Sequence, residues 1–166
     1  MSMQEATLEN KDETGALAGE FVRSLTPRKE GATVVALYGD LGSGKTSFTQ
    51  GAARALGVNQ TVISPTFVIE RVYALSHKNF DRLIHLDCYR MENDDEMKSI
   101  GWNEKIRNPK NLVFVEWAEK VEEMLPKNTV RVYFEHVNET TRHIAINSKC
   151  KNQNAKLLYS PSANEF

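Results

Sequence analysis

The sequence predicts an α/β fold in which a central, mainly parallel β-sheet lies between layers of helices. Two apolar runs, at 33–38 and 112–116, have the composition of strands that are buried on both faces, as in a parallel sheet. A helical pattern over 46–56 follows the first run through a glycine-rich turn. This order of strand, turn and helix is typical of proteins with a parallel sheet covered by helices.

The remaining elements are predicted from the spacing of apolar residues. Leu17, Phe21 and Leu25 recur at every fourth position, which indicates a helix that begins at residue 13 and is capped by Asp12 or Thr14. Residues 1–12 are polar, and we expect them to be loosely held. The other predicted segments are helices at 93–100, 102–107 and 118–125, strands at 67–74 and 83–86, and a C-terminal β-hairpin made of 129–136 and 141–146.

The glycine-rich turn carries the clearest functional pattern, because residues 39–46 read GDLGSGKT and fit G-x-x-x-x-G-K-[ST]. Such a turn points successive N–H groups into one concavity, and the helix that begins there adds its positive dipole end. Lys45 is placed to reach the β- and γ-phosphates of a nucleotide, and the Thr46 hydroxyl to ligate Mg²⁺. The pattern favours a P-loop NTPase-like three-layer sandwich over a plain glycine-rich hairpin or helix cap. The predicted nucleotide-binding residues are Gly39, Asp40, Leu41, Gly42, Ser43, Gly44, Lys45, Thr46 and Ser47.

Two acidic residues stand at the ends of predicted strands. Glu116 ends the run at 112–116, where a Walker B carboxylate orients water or holds Mg²⁺, and Asp87 follows the strand at 83–86. The two compete for the metal role, and Asp87 has the alternative of ending its strand and capping the next helix. Trp117 either covers the nucleotide or packs in the core. The candidate catalytic residues are Glu116, Asp87 and Lys45, and the candidate metal ligands are Thr46 and Glu116.

A short loop that carries two hydroxyl groups lies between the P-loop helix and the next strand. It consists of Ser64, Pro65, Thr66 and Phe67. Proline removes a hydrogen-bond donor and fixes the turn. The loop is interpreted either as a switch that senses the γ-phosphate or as a simple turn into a strand. His85 is interpreted as a packed or hydrogen-bonded residue rather than as a base.

Composition limits the classes of function that remain. The chain has 166 residues, 21 basic and 22 acidic side chains and a formal net charge of −1, which gives no electrostatic case for non-specific binding to nucleic acid or an acidic membrane. We expect one domain at 1–148 and a polar, mobile tail at 149–166. Cys88 and Cys150 have no metal or redox spacing, and no signal peptide or membrane span is apparent. We therefore expect a cytoplasmic protein with free thiols that binds neither DNA nor membrane.

Four motifs occur in a fixed order along the chain: GDLGSGKTS at 39–47, SPTF at 64–67, HLDCYR at 85–90 and VEWAE at 115–119. Together they resemble the bacterial TsaE (YjeE) family of small P-loop ATPases. The resemblance covers roughly residues 10–146, and the set is far more specific than the P-loop alone. The tail after Ser148 lies outside the family pattern. The family fold, a mainly parallel sheet flanked by helices, agrees with the fold predicted from the residues.

The resemblance implies a role in making N6-threonylcarbamoyladenosine at position 37 of tRNAs that read ANN codons. Family members bind the TsaB–TsaD pair, and their hydrolysis of ATP to ADP with Mg²⁺ is thought to reset that complex between catalytic rounds, so that tRNA is involved indirectly. By the same resemblance Lys45 would hold phosphates, Thr46 would ligate Mg²⁺, and Glu116 would serve the metal or its water. Asp87 would assist in the same site, and 64–67 would be the switch-like loop.

Three other functions are compatible with a P-loop. A small-molecule kinase usually has an arginine-rich lid, whereas the arginines between the P-loop helix and Glu116 are scattered. A GTPase has an N-K-x-D segment that reads the base, and this sequence has none. A pure binding module without turnover would tolerate Glu116→Gln with no change in hydrolysis.

Overall fold

The computed structural model describes residues 3–64 and 69–147, and the bounds of the elements within them are as follows. The strands are β1 (Gln4–Leu8), β2 (Thr33–Tyr38), β3 (Glu70–Ala74), β4 (Arg82–Asp87), β5 (Asn111–Glu116), β6 (Val130–His136) and β7 (Arg142–Asn147). The helices are α1 (Lys11–Ser24), α2 (Lys45–Ala55), α3 (Asp94–Ser99) and α4 (Trp102–Arg107), with a 3₁₀ segment at Ala118–Met124. Within the same ranges, no helix combines the length and the apolarity that crossing a membrane requires.

The strands form one sheet in the order β1-β7-β6-β2-β5-β4-β3. Its centre is parallel, because β2 pairs in parallel with both β5 and β6, and β4 pairs in parallel with β5. The outer strands β1, β7 and β3 are antiparallel to their neighbours. The prediction of an α/β fold around a parallel sheet is confirmed, and the C-terminal hairpin is the β6–β7 pair.

Alternation along the central strands divides the core between two faces of the sheet. On one face Leu37 and Phe114 pack with the buried residues of α1 and α2. On the other face Ala36 and Val115 pack with α3, α4 and the 3₁₀ segment. Every residue of β2 and β5 is buried, as the continuous apolar runs predicted. The sheet is thus the middle layer of three.

The register of the parallel strands places their carboxyl ends side by side. Glu116 of β5 lies opposite Leu37 of β2 and opposite Asp87 of β4. Side chains two residues apart in a strand share a face. His85, Asp87 and Glu116 therefore lie on the face that α2 covers, at the edge where β2 leads into the glycine-rich turn.

The amino terminus differs from the prediction. Residues 4–8 were expected to be loosely held, but they form β1. This strand pairs with β7, which lies at the other end of the described chain. The helix begins at Lys11, and its cap is the Asn10 side chain, which accepts a hydrogen bond from the Glu13 amide at 2.9 Å. Asp12 and Thr14 are not the cap. The prediction was wrong because a polar edge strand is stabilised by its partner strand, which the local pattern does not reveal.

Two further elements differ in detail. The predicted helix over 118–125 is a 3₁₀ segment with non-helical backbone at Val121. The predicted strand over 67–74 begins at Glu70, and 67–68 lie outside the described residues. The predicted tail at 149–166, with Cys150, also lies outside them.

The helices α1 and α2 cross in backbone contact at Gly15 and Gly51. A methyl group placed on Gly51 would lie 2.4 Å from the Gly15 Cα and 2.6 Å from its carbonyl oxygen, whereas one placed on Gly15 would lie 3.8 Å from the Gly51 Cα. The first distance is a severe clash with backbone, and the second is an ordinary van der Waals contact. The crossing therefore depends on glycine at position 51 but not at position 15.

We expect Gly51→Ala to destabilise the protein by about 2–3 kcal/mol, because the two helix backbones must separate to admit the methyl group. Gly15→Ala is the matched control, and it should be neutral or stabilise by up to about 1 kcal/mol, because alanine favours the helix. Urea unfolding followed by circular dichroism measures both. Equal effects of the two substitutions would contradict this account of the crossing.

Candidate functional site

The glycine-rich turn between β2 and α2 is built on close backbone approaches. A side chain at Gly39 would meet the Ser43 Oγ at 2.5 Å and the Phe134 carbonyl oxygen at 2.8 Å, so only glycine fits there. Gly44 precedes α2 with φ of 108°, a left-handed conformation that other residues rarely adopt. These two positions let the chain leave β2 and start α2 with the helix amino terminus directed at the sheet edge.

Lys45 is the first residue of α2, and only 4% of it is exposed. Its ammonium donates hydrogen bonds to the carbonyl oxygens of Gly39 and of Asp40, the latter at 2.9 Å. Its Nζ also lies 4.2 Å from the centroid of the Trp117 ring, a cation–π geometry. Burial lowers the pKa of the ammonium, and the nearby Glu116 carboxylate opposes this shift.

Glu116 ends β5 as a buried carboxylate with two polar partners. The Thr46 hydroxyl lies 3.2 Å from each of its oxygens, and the His85 Nε2 lies 2.8 Å from Oε1. His85 is fully buried, and Glu116 is 2% exposed. The hydroxyl of the P-loop helix and the carboxylate at the end of β5 are therefore in direct contact, and their shared role as metal ligands stays a prediction.

Asp87 connects the end of β4 to the loop that begins at Ser64. Its Oδ2 accepts a hydrogen bond from the Ser64 Oγ at 2.7 Å, and its Oδ1 accepts one from the Tyr89 amide at 2.9 Å. Asp87 thus stabilises a local turn, while the next helix is capped by Asn93. Pro65, Thr66 and Phe67 lie outside the described residues, so their role as a switch loop stays a prediction.

Trp117 packs against the core and contacts Lys45, while its role as a cover for the nucleotide stays a prediction. Its backbone is left-handed, with φ of 56°, an uncommon conformation for a bulky residue. The chain therefore turns sharply after Glu116, and the ring lies over Lys45 and 4.9 Å from the Tyr89 ring. The half-buried ring packs against the core beneath it and also lines the cavity described next.

These groups line one cavity of about 720 Å³ at the carboxyl edge of the sheet. It brings together 41–47, Ser64, Asp87, Glu116 and Trp117, while Gly39 and Asp40 lie behind the Lys45 ammonium. A buried ammonium, a helix amino terminus and two carboxylates are groups that bind a polyphosphate together with a divalent cation.

The sequence did not reveal the opposite wall of the cavity. This wall comes from the start of α1 and from the β6–β7 turn, and Arg142 of β7 donates to the Gly42 carbonyl oxygen at 3.2 Å. Neither segment has a motif of its own, and both reach the site through the pairing of β1 with β7. The lining residues that were missed are Asn10, Lys11, Thr14, Glu139, Thr140 and Arg142.

Comparison with known proteins decides the family. The sequence pattern described as "Threonylcarbamoyl adenosine biosynthesis protein TsaE" matches residues 8–144. The chain belongs to the TsaE family. It is 36% identical to the tRNA threonylcarbamoyladenosine biosynthesis protein TsaE of Bacillus subtilis over 135 residues, which cover 81% of this chain and 79% of that one. The TsaE of Aquifex aeolicus is 34% identical over 120 residues, covering 71% and 79% of the two chains.

A solved structure supports the same assignment. The crystal structure of YdiB from Bacillus subtilis superposes with a TM-score of 0.66 at 28% identity, covering 89% of this chain and 86% of that one. TsaE membership and the α/β fold are thus confirmed. The individual roles assigned to Lys45, Thr46, Asp87 and Glu116 stay predictions.

Cys88 follows Asp87 directly and is a free, fully buried thiol. Burial raises its pKa to about 12, and the neighbouring Asp87 carboxylate acts in the same direction. Because the thiolate is the reactive form, we expect Cys88 to resist alkylation by iodoacetamide at pH 8 in the folded protein. Mass spectrometry of the modified peptide, with and without urea, measures this. Modification of the folded protein at the rate seen in urea would contradict it.

Proposed function

We propose that this protein binds ATP with Mg²⁺ and slowly hydrolyses it to ADP and phosphate, as a subunit in the biosynthesis of N6-threonylcarbamoyladenosine at position 37 of tRNA. The observation that carries the proposal is the convergence of Lys45, Thr46, Asp87 and Glu116 on one cavity of about 720 Å³. Membership of the TsaE family supports the pathway.

The residues present fit a magnesium ion held largely by phosphate. Hydroxyl and carboxylate oxygens are the ligands Mg²⁺ prefers, and in nucleotide sites it takes one or two protein groups plus phosphates and waters. Among residues 3–64 and 69–147, no group of three or more His, Cys, Asp or Glu side chains could hold a metal ion by itself. The bound ion would neutralise charge that develops on the phosphates.

The protein's own groups then divide the remaining work by their positions. The amides that begin α2 and the Lys45 ammonium bind the phosphates, and burial strengthens these contacts. Glu116 is in direct contact with the Thr46 hydroxyl, which favours it over Asp87 as the carboxylate beside the metal and its water. Asp87, bonded to Ser64, holds the start of the 64–67 loop at the same cavity.

Partner proteins complete the proposed activity. We propose the TsaB–TsaD pair as the partner, with ATP hydrolysis resetting that complex and with tRNA involved only through it. Leu41 at the tip of the P-loop is 86% exposed, and Tyr89 beside Trp117 is 48% exposed. We take these two side chains, at the rim of the cavity, as the candidate contacts for the partner.

We expect Lys45→Ala to weaken ATP binding by about 10- to 100-fold, because a charged contact to phosphate is worth about 1.5–3 kcal/mol. Glu116→Gln should leave the affinity within a few-fold but lower turnover by at least about 100-fold, since it removes the group that orients water. Asp87→Asn should also lower turnover. Calorimetry with a non-hydrolysable ATP analogue and a phosphate-release assay measure the two quantities.

Lys98→Ala is the matched control for charge, because Lys98 lies on the exposed surface of α3, and it should change neither quantity. If both carboxylate variants hydrolyse ATP at the normal rate, the assignment of the site is wrong. If the unmodified protein takes up no adenine nucleotide, the proposed function is wrong.

We expect the unmodified protein to be retained by immobilised TsaB–TsaD and its ATP turnover to rise in the mixture. Lys45→Ala should shift any dependence of retention on ATP to about 10- to 100-fold higher ATP concentrations, because it weakens ATP binding by that factor. A pull-down with and without ATP, followed by measurement of phosphate release, tests both statements. Equal turnover with and without TsaB–TsaD would instead favour a stand-alone enzyme.

A further inference from the structure

His85 is a fully buried imidazole that none of the roles above uses. It lies on β4 two residues before Asp87, on the face of the sheet that α2 covers. Its Nε2 lies 2.8 Å from Oε1 of Glu116. The contact joins neighbouring strands, because β4 and β5 pair in a register that places His85 opposite Phe114 and Asp87 opposite Glu116.

The surroundings of the two ring nitrogens of His85 determine which of them carries the proton. The His85 Nδ1 is buried and has no hydrogen-bond partner among the residues that the structure describes. A proton on Nδ1 would be a buried donor without an acceptor, which is costly. A proton on Nε2 is donated to a carboxylate, which strengthens the bond. The Nε2–H tautomer is therefore favoured, because it pairs the N–H with the carboxylate and leaves only the Nδ1 lone pair without a partner among the described residues.

The bond from His85 goes to Oε1 of Glu116 and leaves the other carboxylate oxygen, Oε2, without a hydrogen bond to His85. Among the described residues, Oε1 accepts from both His85 and Thr46, whereas Oε2 accepts from Thr46. Thr46 is itself the proposed metal ligand, but ligation would use a lone pair of its oxygen and leave its proton available to Glu116. His85 is the second protein donor that holds the carboxylate.

We propose that His85 is a positioning residue for ATP hydrolysis: its Nε2–H fixes the rotamer of Glu116 so that Oε2 faces the phosphate end of the cavity. The inference rests on the proposed ATPase function. A residue of this kind bonds to a metal ligand without touching the metal itself. Its removal typically lowers activity or metal affinity by about 10- to 100-fold.

Two amide substitutions of His85 distinguish a hydrogen-bond donor at the position of Nε2 from a side chain that only fills the space. The amide nitrogen of glutamine lies about as far from Cα as the histidine Nε2, and that of asparagine about as far as Nδ1. We expect His85→Asn to lower kcat by about 10- to 100-fold with ADP affinity within a few-fold of normal. His85→Gln should recover most of that loss. Ile84→Val, on the opposite face of the same strand, controls for a loosened β4 and should retain normal kcat.

A spectroscopic measurement tests the same geometry without turnover. Long-range ¹H–¹⁵N correlation spectra of the protein without nucleotide should show a protonated Nε2 and a bare Nδ1 for His85. Assignment uses the signals lost in His85→Gln. Glu116→Gln should shift the Nε2 signal, because it replaces the charged acceptor by a neutral one.

Each outcome has one meaning. An Nε2 without a proton in the unmodified protein overturns the inference, and so does normal kcat in His85→Asn or equal loss in the asparagine and glutamine variants. The expected tautomer together with selective recovery by glutamine supports it. If the unmodified protein shows no ATP turnover, the proposed function fails, while the spectra still decide whether His85 donates to Glu116.

Discussion

The parallel pairing of β2, β4 and β5 is the constraint on which the site depends. It brings the P-loop, Asp87 and Glu116 to one edge of the sheet, although they are far apart in the sequence. Because side chains alternate between the two faces of a strand, His85, Asp87 and Glu116 all lie on the face that α2 covers. A slip of one residue between β4 and β5 would direct His85 and Asp87 to the opposite core, because side chains alternate between faces. Hydrophobic burial on both faces prevents this slip, so the core fixes the position of the polar site.

Burial of charge at this edge carries a cost that the site offsets by hydrogen bonds. Lys45 and Glu116 are both almost completely buried, where an unpaired charge is strongly unfavourable. The ammonium is held by carbonyl oxygens of the P-loop and by the Trp117 ring, and the carboxylate by Thr46 and His85. The ammonium and the carboxylate are therefore held in place without any ligand. In many enzymes, preorganised polar groups supply the largest part of the stabilisation of the transition state.

Local sequence predicted most of the fold and one side of the site. The P-loop is contiguous, so its strand, turn and helix are all visible in 33–56, and Glu116 was found because a fully apolar strand ends at it. The other side depends on contacts between distant segments. β1 was missed because its polar residues form a strand only beside β7, and Arg142 reaches the cavity through the same pairing. The bond from His85 to Glu116 follows from register, and the position of the Trp117 ring follows from a backbone angle that no pattern encodes.

The pairing of β1 with β7 ties the two ends of the described chain into one wall of the cavity. Leu8 lies opposite Arg142, and the helix that presents Asn10 and Lys11 to the cavity starts directly after β1. A truncation that removed the first ten residues would therefore open the cavity on one side. It would also leave β7 as an unpaired edge, a template on which a second copy of the chain can dock strand to strand. The pairing of β1 with β7 thus covers one edge of β7 as well as shaping the site.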